Sequence, residues 1–310
     1  MKISRPIWLD GEFVDWQDAT VHVLSHSLQR GSLIFDYMSV HETPRGPALF
    51  RMPEHVERLL ASAALVGLPL ERGAAEIEAA IVETVRRNPG ATAVKASAFL
   101  PSIEVDVVPA DSRVSLAIAA YDPRHDILDQ QEGAYRAPET ARLWIEKSVK
   151  NRRPDILAPQ AKVAANYASP MLAKWKARRE GYDDILLVDA EGCIAEGPTS
   201  NVFLVDREGV LVTPSEETVL LGVTRRTVLE IAGAEGITVR EARVRPDEIL
   251  DAREVFLTGT TAGVWPVASV DGRPVGEQSP GPISVLLRAR FRAVVAGEDP
   301  RFADWLRHVD

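Results

Sequence analysis

The chain has 310 residues, 45% of them apolar and 26% charged, a balance that supports a packed core and excludes a disordered or fibrous protein. A formal net charge of -9, with no long run of lysine or arginine, excludes an extended nucleic-acid surface, which needs a basic stripe to displace counterions. No apolar stretch reaches the roughly 18 residues of a membrane helix, and residues 1–10 lack the pattern of a secretory leader, so a cytoplasmic protein acting on small molecules is expected.

In chain order, the Asp10-Gly11 turn between short apolar runs predicts a hairpin over residues 7–13. From Met52 the period changes. Pro53 suits a first helical turn, and Val56, Leu59, Leu60, Ala63 and Ala64 recur at helical spacing up to Gly67. A second helix over 76–87 and strands over 91–99 and 113–121 complete a mixed first domain, residues 1–123. Residues 124–138 are polar and aperiodic and read as a connector to a larger second domain, residues 139–310. In that domain a helix over 170–179 ends at Gly181, and strands are expected over 184–189, 193–195 and 201–205. Glu191-Gly192 and Glu208-Gly209 mark hairpins. A helix over 222–234, a strand over 255–258 and a closing helix over 283–295 follow, with no internal repeat. Cys193 is the only cysteine, which leaves no intrachain disulfide and no cysteine-based metal cluster; it reads as a buried, inert thiol.

Lysine is scarce, so candidates for an amine nucleophile are few: Lys2, Lys95, Lys147, Lys150, Lys162, Lys174 and Lys176. Lys174 and Lys176 lie in a charged helical run that reads as a solvated face. Lys162 stands among small residues in Ala161-Lys162-Val163-Ala164-Ala165-Asn166-Tyr167, which would admit a flat ring; it reads either as a catalytic amine or as a salt-bridged lysine. In Ile194-Ala195-Glu196-Gly197-Pro198-Thr199-Ser200-Asn201, Glu196 ends a strand before a tight turn, suited to a cationic ring nitrogen or simply to a turn. Leu221-Gly222-Val223-Thr224 opens a helix, as a phosphate site or as a plain cap. Leu257-Thr258-Gly259-Thr260-Thr261-Ala262-Gly263 runs from a strand into a hydroxyl-rich turn, for an oxyanion or as an ST-turn.

These four segments in this order, with Phe50-Arg51 and His55-Val56-Glu57-Arg58-Leu59 upstream, resemble the fold-type-IV pyridoxal-phosphate-dependent aminotransferases, and the branched-chain amino acid aminotransferases in particular. The resemblance extends from about Trp8 to Trp305 and includes Val264-Trp265-Pro266-Val267, Val270-Asp271-Gly272-Arg273 and Gly281-Pro282. It implies a two-domain α+β fold, a small N-terminal domain and a larger C-terminal one, with pyridoxal 5'-phosphate between them and a homodimer whose partner contributes to the pocket. It makes Lys162 the Schiff-base lysine, Tyr167 the donor to the cofactor's phenolic oxygen and Glu196 the partner of its pyridine nitrogen. Arg58, the backbone of Val223 and Thr224 and the hydroxyl of Thr260 would hold the phosphate, and Leu220 would pack on the ring. The implied reaction is ping-pong transfer of an amino group from an amino acid, L-branched-chain by the resemblance, to a 2-oxo acid.

The substrate side departs from the family pattern. Arg30 stands where those enzymes carry a tyrosine, Tyr37 where they carry a glycine after the acid, and Ala93-Val94-Lys95 where they carry a tyrosine and an arginine; Phe35 is retained. Arg30 and Tyr37 read as a guanidinium fork and a phenol for a polar substrate group or as an interface pair, and Lys95 as a substrate residue or a surface strand residue. Thr261 and Ala262 complete the expected substrate side. A D-amino-acid or (R)-amine transaminase and an aminodeoxychorismate lyase are the alternatives on the same fold. His22, His26, His41 and His55 lack the carboxylate or cysteine companions of a metal centre, and no metal is expected.

Overall fold

A computed structural model describes residues 3–309; Met1, Lys2 and Asp310 lie outside the described residues. The chain forms two compact units, each of mixed helix and sheet, in keeping with the expected α+β class. The first takes the residues up to Tyr135, the short stretch Ala161–Ala165 and the chain from Val295 onward; the second takes Arg136–Gln160 and Asn166–Val294. The division is therefore discontinuous, and the five residues around Lys162 group with the first unit.

In the first unit, β1 (Ile7–Leu9) and β2 (Glu12–Val14) form the hairpin closed by Asp10 and Gly11, both at positive φ. A short α1 (His26–Arg30) leads to β3 (Ile34–Thr43) and β4 (Gly46–Phe50). Helices α2 (Met52–Val66) and α3 (Ala74–Arg86) precede β5 (Ala93–Phe99) and β6 (Ser115–Tyr121). A terminal strand, Leu306–His308, pairs with β4 to give a seven-stranded antiparallel sheet. Strand alternation separates its two faces. Ile34, Asp36 and Met38 share one face with Val94, Ala96 and Ala98 and with Leu116, Ile118 and Ala120, all buried. Phe35, Tyr37, Lys95 and Ser97 share the other, which is only half-buried. Helix α2 packs on β3, and α3 on β5 and β6.

The α2 helix begins after Arg51, at φ 49°, whose guanidinium lies 3.5 Å from the Trp305 ring, and it stops at Gly67 in the left-handed region. Val56, Leu59 and Ala63 form its apolar stripe as expected, whereas Ala64 is exposed. Residues 124–130, within the expected irregular connector, lie in helical turns whose first N–H groups, at Arg124 and His125, are capped by the Asp122 carboxylate.

In the second unit the elements are β7 (Ala141–Lys150), α4 (Ala168–Arg179), β8 (Asp184–Val188), β9 (Asn201–Val205), β10 (Leu211–Pro214) and α5 (Val223–Ala234). They continue with β11 (Val239–Ala242), α6 (Pro246–Leu250), β12 (Glu254–Gly259), β13 (Gly263–Val270), β14 (Arg273–Pro274) and α7 (Pro282–Val295). The sheet order is β11-β10-β9-β12-β13-β7-β8, with β14 beside β13. Its centre is an aliphatic core that includes Leu143, Leu186, Val202, Leu204, Leu257 and Val267. Phe203 and Phe256, paired across β9 and β12, stack with centroids 5.2 Å apart.

Two expectations are corrected. Residues 193–195 form no ladder strand; Ile194 makes only single bridges to Val188 and Val244, because the chain turns at Glu196 immediately afterwards. Cys193 is half-buried, not buried, and partial burial together with the Asp189 charge pushes its thiol up.

His41, in β3, bonds Ser39 Oγ at 2.8 Å, and burial lowers it from 6.5 to about 4. Between those pH values the unfolded chain binds a proton at His41 that the folded chain does not. Stability is therefore complete above pH 6.5 and declines as pH falls toward 4. In His41→Gln this part of the decline is expected to vanish, so urea unfolding at about pH 7 and about pH 5 should show a smaller difference for the variant; an unchanged difference would exclude His41 as the cause.

Candidate active site

In the first unit, α2 carries a polar stripe beside its apolar one: His55, Arg58 and Ser62, at i, i+3 and i+7, lie along one line of the helix. Arg58 forks onto Asp36 of β3, Nε to Oδ2 at 2.8 Å and Nη2 to Oδ1 at 2.9 Å, and His55 Nδ1 meets Asp36 Oδ1 at 2.6 Å. Burial alone would raise the Asp36 carboxyl, but the Arg58 charge and then His55 hold it well below the usual carboxylate range. Burial dominates at His55 and lowers it despite Asp36, so the ring is neutral and its Nδ1–H donates to the acid.

Ser62 stands between Arg58 and Lys162. Its hydroxyl donates to the Arg58 carbonyl at 2.7 Å, and its oxygen accepts the Lys162 N–H at 3.0 Å. The Lys162 carbonyl accepts the Phe35 N–H at 3.0 Å, Val163 bridges Ile34, and the Ala164 N–H donates to the Leu33 carbonyl at 2.8 Å. The lysine main chain is thereby held along the start of β3. Its Nζ lies 5.1 Å from the Phe35 ring centroid, and Lys95 Nζ lies 4.7 Å from the same ring. Lys95 faces Tyr37 in register, so Phe35, Tyr37, Lys95 and the Lys162 amine are neighbours. Arg30 is exposed on α1 and donates to the Val105 carbonyl at 2.9 Å.

In the second unit the other three segments meet. Glu196 is 3% exposed and pairs with Asn201 across a tight turn closed by the Gly197 N–H on the Ser200 carbonyl at 2.7 Å. Four donors surround its carboxylate. Arg152 Nη1 at 3.3 Å and Asn151 Nδ2 at 3.4 Å meet Oε1, while the Leu220 N–H at 3.1 Å and Asn201 Nδ2 at 3.3 Å meet Oε2. Asn201 also donates to the Leu220 carbonyl at 2.9 Å. The Arg152 guanidinium, its side chain 6% exposed, lies 5.4 Å from the Tyr167 ring centroid and so connects the phenol to the acid. Helix α5 opens at Gly222 without a side-chain cap, with Val223 and Thr224 buried in its first turn. Gly259 passes close to the Thr199 carbonyl, which brings the β12–β13 turn with Thr260, Thr261 and Ala262 to the same end of the sheet.

Sequence reasoning missed Asn151, Arg152 and Ser62, and gave no role to Asp36. Ser62 had a signal, the polar residues at helical spacing with His55 and Arg58; Asn151 and Arg152 had none, since they follow a strand and sit 45 and 44 positions from Glu196. Among the described residues, no group of three or more His, Cys, Asp or Glu is arranged to hold a metal ion, and no helix is long and apolar enough to cross a membrane.

Residues 33–270 match the sequence profile of the amino-transferase class IV family, and the chain belongs to that family: it is a pyridoxal-phosphate-dependent aminotransferase of fold type IV. It resembles the branched-chain members. A branched-chain-amino-acid aminotransferase of Pseudomonas aeruginosa is 34% identical over 303 residues, 96% of this chain and 95% of that protein. The crystal structure of the branched-chain aminotransferase of the thermophilic archaeon Thermoproteus uzoniensis with norvaline superposes with a TM-score of 0.90 at 33% identity, over 99% of this chain and 100% of that one. The branched-chain amino acid aminotransferase of Thermobaculum terrenum, in its PLP form, superposes with a TM-score of 0.89 at 29% identity over 100% of both chains. The D-amino-acid, (R)-amine and lyase alternatives are not favoured by these relatives.

Gly222 leaves no room for a side chain, since a Cβ there would collide with Asn201 Oδ1. Gly222→Ala is expected to displace Asn201 and destabilise the protein by about 1–3 kcal/mol. Gly233→Ala, further along α5 where nothing lies within 4 Å, is expected to stabilise it by about 0.5–1 kcal/mol. Urea unfolding of both variants checks the contrast, and a neutral Gly222→Ala would show that Asn201 is not held in place.

Proposed function

We propose that this protein is a branched-chain amino acid aminotransferase, moving an amino group from an L-branched-chain amino acid to a 2-oxo acid. The observation that supports the residue roles most directly is the environment of Glu196. Arg152 and three hydrogen-bond donors, at 3.1–3.4 Å, gather on this buried carboxylate. A buried carboxylate at the end of a tight turn is the group suited to accept a charge-assisted bond from a cationic ring nitrogen.

Pyridoxal phosphate supplies, when bound, an electron-poor ring and a carbonyl that takes the amino group. Lys162 Nζ would be the amine that condenses with that carbonyl, with loss of water, and the free amine would serve as the base and acid that moves the substrate's α-proton. Its main chain is pinned by Ser62 and Phe35, so the motion is confined to the side chain. Tyr167 would donate to the ring's phenolic oxygen, and Leu220 would pack on the ring. Arg58 is our phosphate-holding guanidinium, and the first-turn N–H groups at Val223 and Thr224 and the Thr260 hydroxyl are phosphate donors. Phe35, Tyr37, Lys95, Arg30, Thr261 and Ala262 are the residues we place on the substrate side. The two half-reactions run in ping-pong order.

A cytoplasmic homodimer is the form we propose. The first unit supports the dimer: Val23, Leu24 and Leu28 are exposed beside Ile103, Val105 and Val107, joined by the Ser25–Ile103 bridge and the His26–Val107 contact, an apolar surface of the kind subunit interfaces cover.

The protein purified with pyridoxal phosphate is expected to show the near-visible band of lysine-bound cofactor and to lose it on addition of L-leucine. Lys162→Ala should abolish the band and lower turnover at least about 100-fold. A response to D-alanine or (R)-1-phenylethylamine and none to L-leucine would overturn the branched-chain assignment, and absence of the band in the parent protein would overturn the role of Lys162.

A further inference from the structure

Beneath Arg58 lies an acid that takes no part in the proposed chemistry. Asp36 is fully buried, and strand alternation turns it away from Phe35 and Tyr37 into the face that α2 covers. Its two oxygens receive the Arg58 fork, the His55 Nδ1–H at 2.6 Å and the Tyr37 N–H at 2.8 Å. The fork engages the Nε and Nη2 edge of the guanidinium and so fixes the plane in which the group lies. A charge-balancing acid has an opposite consequence for an oxyanion at Arg58: its negative charge weakens the attraction of Arg58 for a phosphate. Two effects of opposite sign therefore compete, orientation of the guanidinium and repulsion of the ligand.

We propose that Asp36, steadied by His55, is a positioning residue that orients Arg58 for the cofactor's phosphate, and that orientation outweighs its repulsion. The inference rests on the reading of Arg58 as the phosphate-holding group. Geometry favours orientation. A free arginine side chain samples many rotamers and loses that freedom on binding, whereas a bidentate carboxylate fixes the planar fork in advance. The acid is itself fixed from three directions, by a strand N–H, a helix imidazole and the guanidinium, so it cannot follow Arg58 to other positions. Ser62, one turn further along α2, accepts the Lys162 N–H while donating to the Arg58 carbonyl, so the helix that carries the arginine is registered to the lysine as well.

The experiment titrates the full-length, cofactor-stripped protein with pyridoxal phosphate and with pyridoxal, which lacks the phosphate, following the near-visible band. The preference for the phosphorylated form, the pyridoxal dissociation constant divided by that of pyridoxal phosphate, isolates the phosphate contribution. Asp36→Asn, which keeps size and removes charge, is expected to cut that ratio at least about tenfold with pyridoxal binding unchanged. A ratio that is unchanged or larger overturns the proposal, since loss of repulsion would then outweigh loss of orientation. Should Asp36→Asn fail to fold, His55→Leu removes the 2.6 Å donor but neither charge of the fork; a smaller drop in the ratio is expected, and no drop overturns the proposal. Arg58→Ala separates the two layers of argument. If it leaves the ratio unchanged, the phosphate role of Arg58 fails; if it lowers the ratio while Asp36→Asn does not, Asp36 alone fails.

Discussion

A carboxylate removed from water must be met by donors on the spot, because neither side-chain entropy nor core packing offsets the several kcal/mol that an unpaired buried charge costs, as an order of magnitude. Among the buried acids that meet this requirement, Asp36 in the first unit and Glu196 in the second stand beside the candidate site residues. Asp36 meets it with a strand N–H, an imidazole and an arginine fork, and Glu196 with an arginine, two asparagines and a loop N–H. In both cases the cationic donor comes from an element distant in sequence, Arg58 from α2 and Arg152 from beyond β7, so neutralising the acid ties distant segments together. The asparagines and glycines around Glu196 follow from the same need: Asn201 faces both the acid and the Leu220 carbonyl, and that leaves Gly222 no space for a Cβ.

The two acids differ in how tightly they are held. The contacts to Asp36 are 2.6–2.9 Å, whereas those to Glu196 are 3.1–3.4 Å. Short charge-assisted bonds hold an acid in one orientation more firmly than long ones do. The difference follows from the donors each acid meets, a bidentate fork and an imidazole at Asp36 and single donors from four residues at Glu196.

How legible each part was follows from the range of its determinants. The α2 apolar stripe, the Asp10-Gly11 hairpin and the α5 start depend on neighbours within a turn, and their spacing in the sequence reveals them. Residues 34–43, a long strand buried on one face, escaped notice because Asp36 interrupts the apolar alternation that would have announced it. Residues 193–195 look like a strand by composition, but the turn that positions Glu196 ends the pairing after a single bridge on each side. At the site, the ordered motifs pointed to Lys162, Glu196 and Arg58, whereas Arg152 and Asn151 reach Glu196 across 44 and 45 residues, which no local pattern encodes.

Strand β3 connects these observations. Alternation sends Phe35 and Tyr37 to the open face beside the Lys162 and Lys95 amines and Asp36 to the helix face. A slip of one residue would reverse every assignment, placing a phenol and a phenyl ring against α2 and the acid among amines. Apolar residues alone resist such a slip weakly here, because Phe35 and Tyr37 are themselves hydrophobic enough for either face. Asp36 resists it strongly, since only the helix face offers the matched arginine and imidazole. The acid therefore sets the register of the strand, the register sets which side chains surround the amine, and a residue on the helix face determines what the open face presents.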